Sequence, residues 1–133
     1  LNLRFGPIQK SERPGPTERV GWGAIGFQMG YQGKTIVNLG DTLLQKSEWR
    51  RLKNVYVLML PIGGRKMGNT MNEDEALVAV EIIKPELVIP THYNCPVLFS
   101  KRYNPADAAG FQSKIRSMGI ACEVLEKGQS IDY

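Results

Sequence analysis

A layered α/β fold is what this sequence predicts, and three observations predict it. The runs "VYVLMLP" (55–61) and "ELVIP" (86–90) are continuously apolar and of strand length, the signature of strands covered on both faces. Between them lies a stretch with helical rather than alternating periodicity, so strand and helix succeed one another as in a parallel βα arrangement. Two further β-prone runs precede this block and a second helical stretch and a closing strand follow it.

The elements follow in order. Residues 1–22 carry prolines and glycines among charged side chains and suit an extended arm or loop, leaving 23–133 as one domain. "AIGFQMGY" (24–31) and "KTIVNLG" (34–40) flank the short turn "QG" and predict a hairpin. In "LLQKSEWRRLK" (43–53) Ser47 is placed to cap a short helix with a basic polar side. After the strand at 55–61, "IGGRKMGNTMN" (62–72) reads as a glycine-rich loop. Asn72 opens the clearest helix. Glu75 stands three residues on as in a capping box, Ala76, Val80 and Ile83 share a face, and Pro85 ends it. The strand ending at Pro90 delivers His92. Asn104 with Pro105 predicts the start of a last helix that stops at Gly119, and "ACEVLEKG" (121–128) a closing strand.

With 133 residues, 42% hydrophobic and 23% charged, the chain has the composition of one ordinary globular domain. No apolar run is long enough to span a bilayer. Cys95 and Cys122 are distant from one another and form no CxxC pair, and no secretory leader is evident, which places the protein in the cytoplasm with free thiols. The net charge of +4 is uneven: Lys46, Arg50, Arg51, Lys53, Arg65 and Lys66 share a window whose single counter-charge is Glu48. Such a window reads first as a solvated helix face plus a basic loop. The alternative is a surface that attracts an anionic small-molecule substrate, and nucleic acid is disfavoured because no aromatic residues interleave it for base stacking.

Ligand sites in layered α/β folds gather beyond the carboxyl ends of the strands. "LGDT", "PIGG" and "PTHYN" all occupy such positions, so Asp41 and His92, the one histidine of the chain, are expected at a common rim. A carboxylate and an imidazole there suit general base catalysis or metal ligation. A nucleophilic triad lacks a GxSxG elbow, and Cys95 before Pro96 reads as packing. A catalytic zinc wants three protein ligands, so the pair is at most part of a site. The alternative is structural: Asp41 forming an Asx turn or cap, and His92 simply ending a strand.

"IVNLGDT", then "VYVLMLPIGG", then "MNEDEALVAVEIIKPELVIPTHYN" resemble the carboxy-terminal half of the metallo-β-lactamase superfamily, nearest its branch of ascorbate-6-phosphate lactonase-like and N-acyl-phosphatidylethanolamine phospholipase-like proteins. The resemblance implies half of an αββα sandwich over 23–133, a mixed sheet with helices on one face. It also implies a metal-dependent hydrolase acting on an ester, lactone, amide or phosphodiester. Asp41 matches the metal-bridging aspartate and His92 the last histidine ligand of the second metal. Thr42 and Tyr93 flank them as supporting or substrate contacts, and Gly63 and Gly64 let the chain pass close to the rim. The implied cofactor is a divalent metal, zinc or manganese, two ions in a complete site. The family's HxHxDH signature is absent, and no histidine precedes His92. The expectation is therefore a fragment lacking that half, beginning at Leu1 rather than methionine, that holds metal weakly or not at all and turns over little by itself. The alternative is a non-catalytic α/β interaction module that forms a homo-oligomer through an exposed sheet face.

Overall fold

The computed structural model describes residues 2–3, 25–65, 68, 70–96 and 102–132. Its centre is a six-stranded mixed sheet in the order β1-β2-β3-β4-β5-β8. β2 (Gly26–Tyr31) and β3 (Lys34–Asn38) form the expected antiparallel hairpin, and β4 (Val55–Pro61), β5 (Leu87–Thr91) and β8 (Ala121–Cys122) continue in parallel. One departure lies at the edge: Asn2–Leu3, within the segment expected to be an arm, forms β1 against β2. The rest of that segment, like Lys66 of the basic window, is outside the described residues. A separate two-stranded ribbon pairs β6 (Cys95–Pro96) with β7 (Arg102–Tyr103).

Successive strand residues point to opposite faces, so the register defines two surfaces. Val37, Leu58, Val88 and Cys122 lie side by side across four strands and belong to the buried core. Onto that face pack α1 (Lys46–Trp49), α2 (Glu73–Ile83) and α3 (Ala108–Ser117), with Trp49, Ala76, Val80, Phe111 and Ile115 fully or almost fully buried. The row Met29, Ile36, Val57 and Leu87 occupies the opposite face. Its β2 side is open to solvent, with Met29 58% and Tyr31 69% exposed. The architecture is thus the expected mixed sheet with helices on one face.

Helix starts test the local signals. At α2 the capping box forms in full: the Glu75 backbone N–H donates to Asn72 Oδ1 (2.9 Å), and the Asn72 N–H donates to Glu75 Oε2 (3.0 Å). Lys84 then closes the helix in the left-handed region (φ +53°) before Pro85. Ser47 does not cap α1; the cap is Gln45, with no side-chain bond, and Ser47 sits exposed inside the helix. Trp49 drives that turn instead, because its ring is wholly buried and fixes where the chain must coil.

The last helix also begins later than Asn104 and Pro105 suggest. Asn104 is fully buried at φ +50°, held by the Asn94 N–H donating to its carbonyl (2.8 Å). Asn94 exchanges two further bonds with the Ala106 backbone, which keeps 104–106 out of a helix. Asp107 caps α3 by accepting from Gly110 N (2.9 Å), and Gly119, at φ +78°, follows its end. β8 is shorter than the apolar string, although Glu123 N still donates to Val88 O.

The capping box gives a measurable expectation. Asn72→Ala should lower unfolding free energy by about 1 kcal/mol in urea titrations, and Asn72→Asp should recover most of it.

Candidate metal centre

The three central strands are parallel, so they all release their chains at the same rim. β3 ends at Asn38, whose Oδ1 accepts from Gly40 N (2.9 Å). Gly40 turns through φ +63°, a conformation open to glycine, and presents Asp41 to solvent. β5 ends at Thr91, and the next residue is His92 at φ +52°. A left-handed histidine is uncommon, and such backbone persists where its surroundings over-determine it.

With β4 between them, β3 and β5 run about 10 Å apart. The two side chains close that gap: His92 Nδ1 meets Asp41 Oδ1 directly, with the imidazole 26% and the carboxylate 62% exposed. What lets them meet is the exit of β4. Ile62 N donates to Thr91 O (3.2 Å), and the following Gly63 lies so close that a Cβ there would overlap His92 O, Asn104 Cβ and Asn104 O. A Cβ on Gly64 would overlap the Thr70 backbone. Two bare residues let the chain leave between the turns that carry Asp41 and His92.

The loop that returns from there is tied back at both ends. Gly64 N donates to Met71 O (2.8 Å), while Met71 N and Thr70 Oγ1 both donate to Thr42 O (2.9 and 3.1 Å). Thr42 is buried, its hydroxyl donating to Leu43 O and accepting from Gln45 Nε2. Thr42 therefore anchors the turn after Asp41 by hydrogen bonding. Glu73, almost fully buried, accepts from Arg65 Nε (3.3 Å) and from Asp107 N (3.2 Å), clamping this loop to the start of α3. Tyr93 faces the other way. Its ring packs on the core, and burial, with Glu126 and Cys122 nearby, holds its phenol above the usual range. The structure thus joins Asp41 to His92, brings Gly63 under the His92 turn, and leaves the Thr42 hydroxyl and the Tyr93 ring outside the Asp41–His92 contact.

A carboxylate and an imidazole fit a divalent cation in kind. In number they fall short: among the described residues no group of three or more His, Cys, Asp or Glu side chains is placed to hold a metal ion. Asp41 and His92 are thus two donors where such a centre wants at least three. Asn104 and Glu73 escaped the sequence reading. Asn104 lies against Gly63, and its carboxamide has no hydrogen-bond partner among the described residues.

Residues 2–92 match the family model described as a beta-lactamase superfamily domain. The chain is 38% identical over 120 residues to a UPF0173 metal-dependent hydrolase of Carboxydothermus hydrogenoformans, covering 88% of this chain and 49% of that protein. The metallo hydrolase Igni18 of Ignicoccus hospitalis superposes with a TM-score of 0.65 at 31% identity, over 80% of this chain and 44% of that one. A member of the metallo-β-lactamase superfamily from Thermotoga maritima shares the fold (TM-score 0.53, 22% identity, 68% of this chain and 44% of that one). The chain spans about half the length of the curated relatives it matches.

Crowding at Gly63 makes it the position to test. Gly63→Ala should cost roughly 1–3 kcal/mol of stability and shift the ring resonances of His92, which are assignable without ambiguity in a one-histidine chain. Gly30→Ala, whose new methyl would meet nothing within 4 Å, should leave both nearly unchanged.

Proposed function

Because the chain belongs to the metallo-β-lactamase superfamily, we propose that it supplies Asp41 and His92 as two ligands of a divalent-metal centre in a metal-dependent hydrolase. The observation that carries this reading is the contact of His92 Nδ1 with Asp41 Oδ1 across the mouth of β4. Nothing local in the sequence demands that meeting. It is made by two turns, one at a positive-φ glycine and one at a positive-φ histidine, above a strand exit stripped of side chains.

When bound, a divalent ion supplies Lewis-acid activation of water and of the scissile carbonyl or phosphoryl group. The chain's own residues do the holding. Asp41, exposed at the rim, would offer its carboxylate oxygens to the metal. His92 is fixed by its backbone and by the carboxylate beside it, as a ligand is fixed by its neighbours in metal sites generally. Thr42 and the Glu73 clamp stiffen the turns from beneath. Two donors fall short of a full ligand set, and among the described residues no third is placed beside them, so this chain should hold metal weakly by itself.

Zinc or manganese suits this donor pair. The substrate is a small molecule bearing an ester, lactone, amide or phosphodiester, and the branch is that of the lactonase-like proteins, as "GDT", "LPIGG" and "IPTHY" suggest. The basic residues between Lys46 and Lys53 favour an anionic one. Free Cys95 and Cys122 support a cytoplasmic location, and no helix among the described residues is long and apolar enough to cross a membrane.

A second reading rests on the other face of the sheet. Phe27, Met29 and Tyr31, with Ile25 just ahead of β2, expose large apolar side chains, and such a patch favours self-association into a homo-oligomer.

Two measurements separate these readings. Calorimetric titration of the purified chain with Zn(II) or Mn(II) should saturate, with affinity at least tenfold lower in Asp41→Ala and no saturation in His92→Ala. Equal, negligible metal in all three proteins sinks the ligand assignment. Sedimentation of the chain and of Met29→Glu should show a dimer only in the former if the sheet face associates, and monomers in both if it does not.

A further inference from the structure

A concavity of about 610 Å³ opens at the end of the sheet opposite Asp41 and His92. Its lining converges from four separate segments: the β2–β3 turn (Gly33, Lys34), the stretch from Leu52 to Tyr56, the end of α2 (Ile82–Lys84) and Glu86 before β5. The volume lies in the ordinary range of small-molecule sites. From Lys34 to Asp41 the chain runs along β3 and its exit, a path of about 20 Å, so this is not the metal rim.

The floor is apolar, with Leu52, Val55 and Ile83 buried beneath it. The rim is cationic: Lys34, Lys53 and Lys84 against the single carboxylate of Glu86. Among the described residues none of these lysines is in an ion pair. Lys34 is held in place by Tyr56, its Nζ 3.7 Å from the ring centroid. Lysines on a convex surface are simply solvated. Here three are brought round one concavity by turns at Gly33, Asn54 and Lys84, all with positive φ, and their field has no protein counter-charge of equal size.

We infer that this pocket is a second small-molecule site, for an organic phosphate whose charged end meets the three lysines and whose apolar or aromatic body covers Leu52 and Ile83. This does not rest on the metal-centre reading and survives its failure. The probes are adenosine 5′-diphosphate, inorganic pyrophosphate and adenosine, titrated into the full 133-residue chain by calorimetry and amide NMR. The diphosphate nucleoside should saturate one site with shifts centred on Gly33, Asn54 and Lys84. Pyrophosphate, lacking the body, should bind about tenfold more weakly and adenosine not at all. Lys53→Ala/Lys84→Ala should weaken the nucleotide at least tenfold, since each charge-assisted bond contributes about that factor. Lys127→Ala, away from the pocket, and Asp41→Ala/His92→Ala should bind as the parent does. The inference is overturned by absence of saturation, by equal affinity for pyrophosphate and nucleotide, or by Lys127→Ala losing as much as the pocket variant. Preference for a single-stranded oligonucleotide, with shifts spread over all basic surfaces, overturns it too.

Discussion

The parallel pairing of β3, β4 and β5 is the constraint on which the rest depends. Had β5 run antiparallel to β4, His92 would emerge at the end of the sheet where Lys34 and Lys84 lie, a full strand length from Asp41. Parallel strands require crossovers, and the chain provides them as α1 and α2, both laid on the same face. Their burial against Val37, Leu58 and Val88 fixes the strands' register, and the register fixes which residue is first beyond each carboxyl end. The meeting of Asp41 and His92 is thus decided deep in the core, by apolar packing that touches neither of them.

Parallelism alone leaves the two turns separated by a strand. The β4 exit resolves this by giving up its side chains at Gly63 and Gly64, then returning through a loop bonded to Thr42 on one side and clamped by Glu73 on the other. Backbone donors and acceptors that a buried loop would otherwise leave unpaired are consumed in holding it down. The polar network is therefore a support for the rim rather than a set of reacting groups, which agrees with the burial of Thr42 and Glu73 and the exposure of Asp41.

The sheet and α2 were legible because their signals are local and strong: unbroken apolar runs for β4 and β5, and an Asn72–Glu75 box that needs only four consecutive residues. Asp41 and His92 were legible for a related reason, since strand ends can be counted along a sequence. Asn104 was misread because Asn followed by Pro is a sound helix start in isolation. The bonds from Asn94 and the wall of Gly63 hold it otherwise, and these lie ten and forty-one positions away. Ser47 failed the same way, with the burial of Trp49 outweighing a hydroxyl's preference for a cap. Tertiary contacts at long separation leave no trace in a window of a few residues, and the Glu73 clamp belongs to that class.

The sheet's two borders are brief. Among the described residues β1 pairs only with Gly26 and Phe27, and β8 only with Leu87 and Val88, so the far half of β2 keeps an unpaired edge beside its exposed apolar face. Stacking of two such faces about a twofold axis closes after two members, whereas pairing along the open edge of β2 would not close.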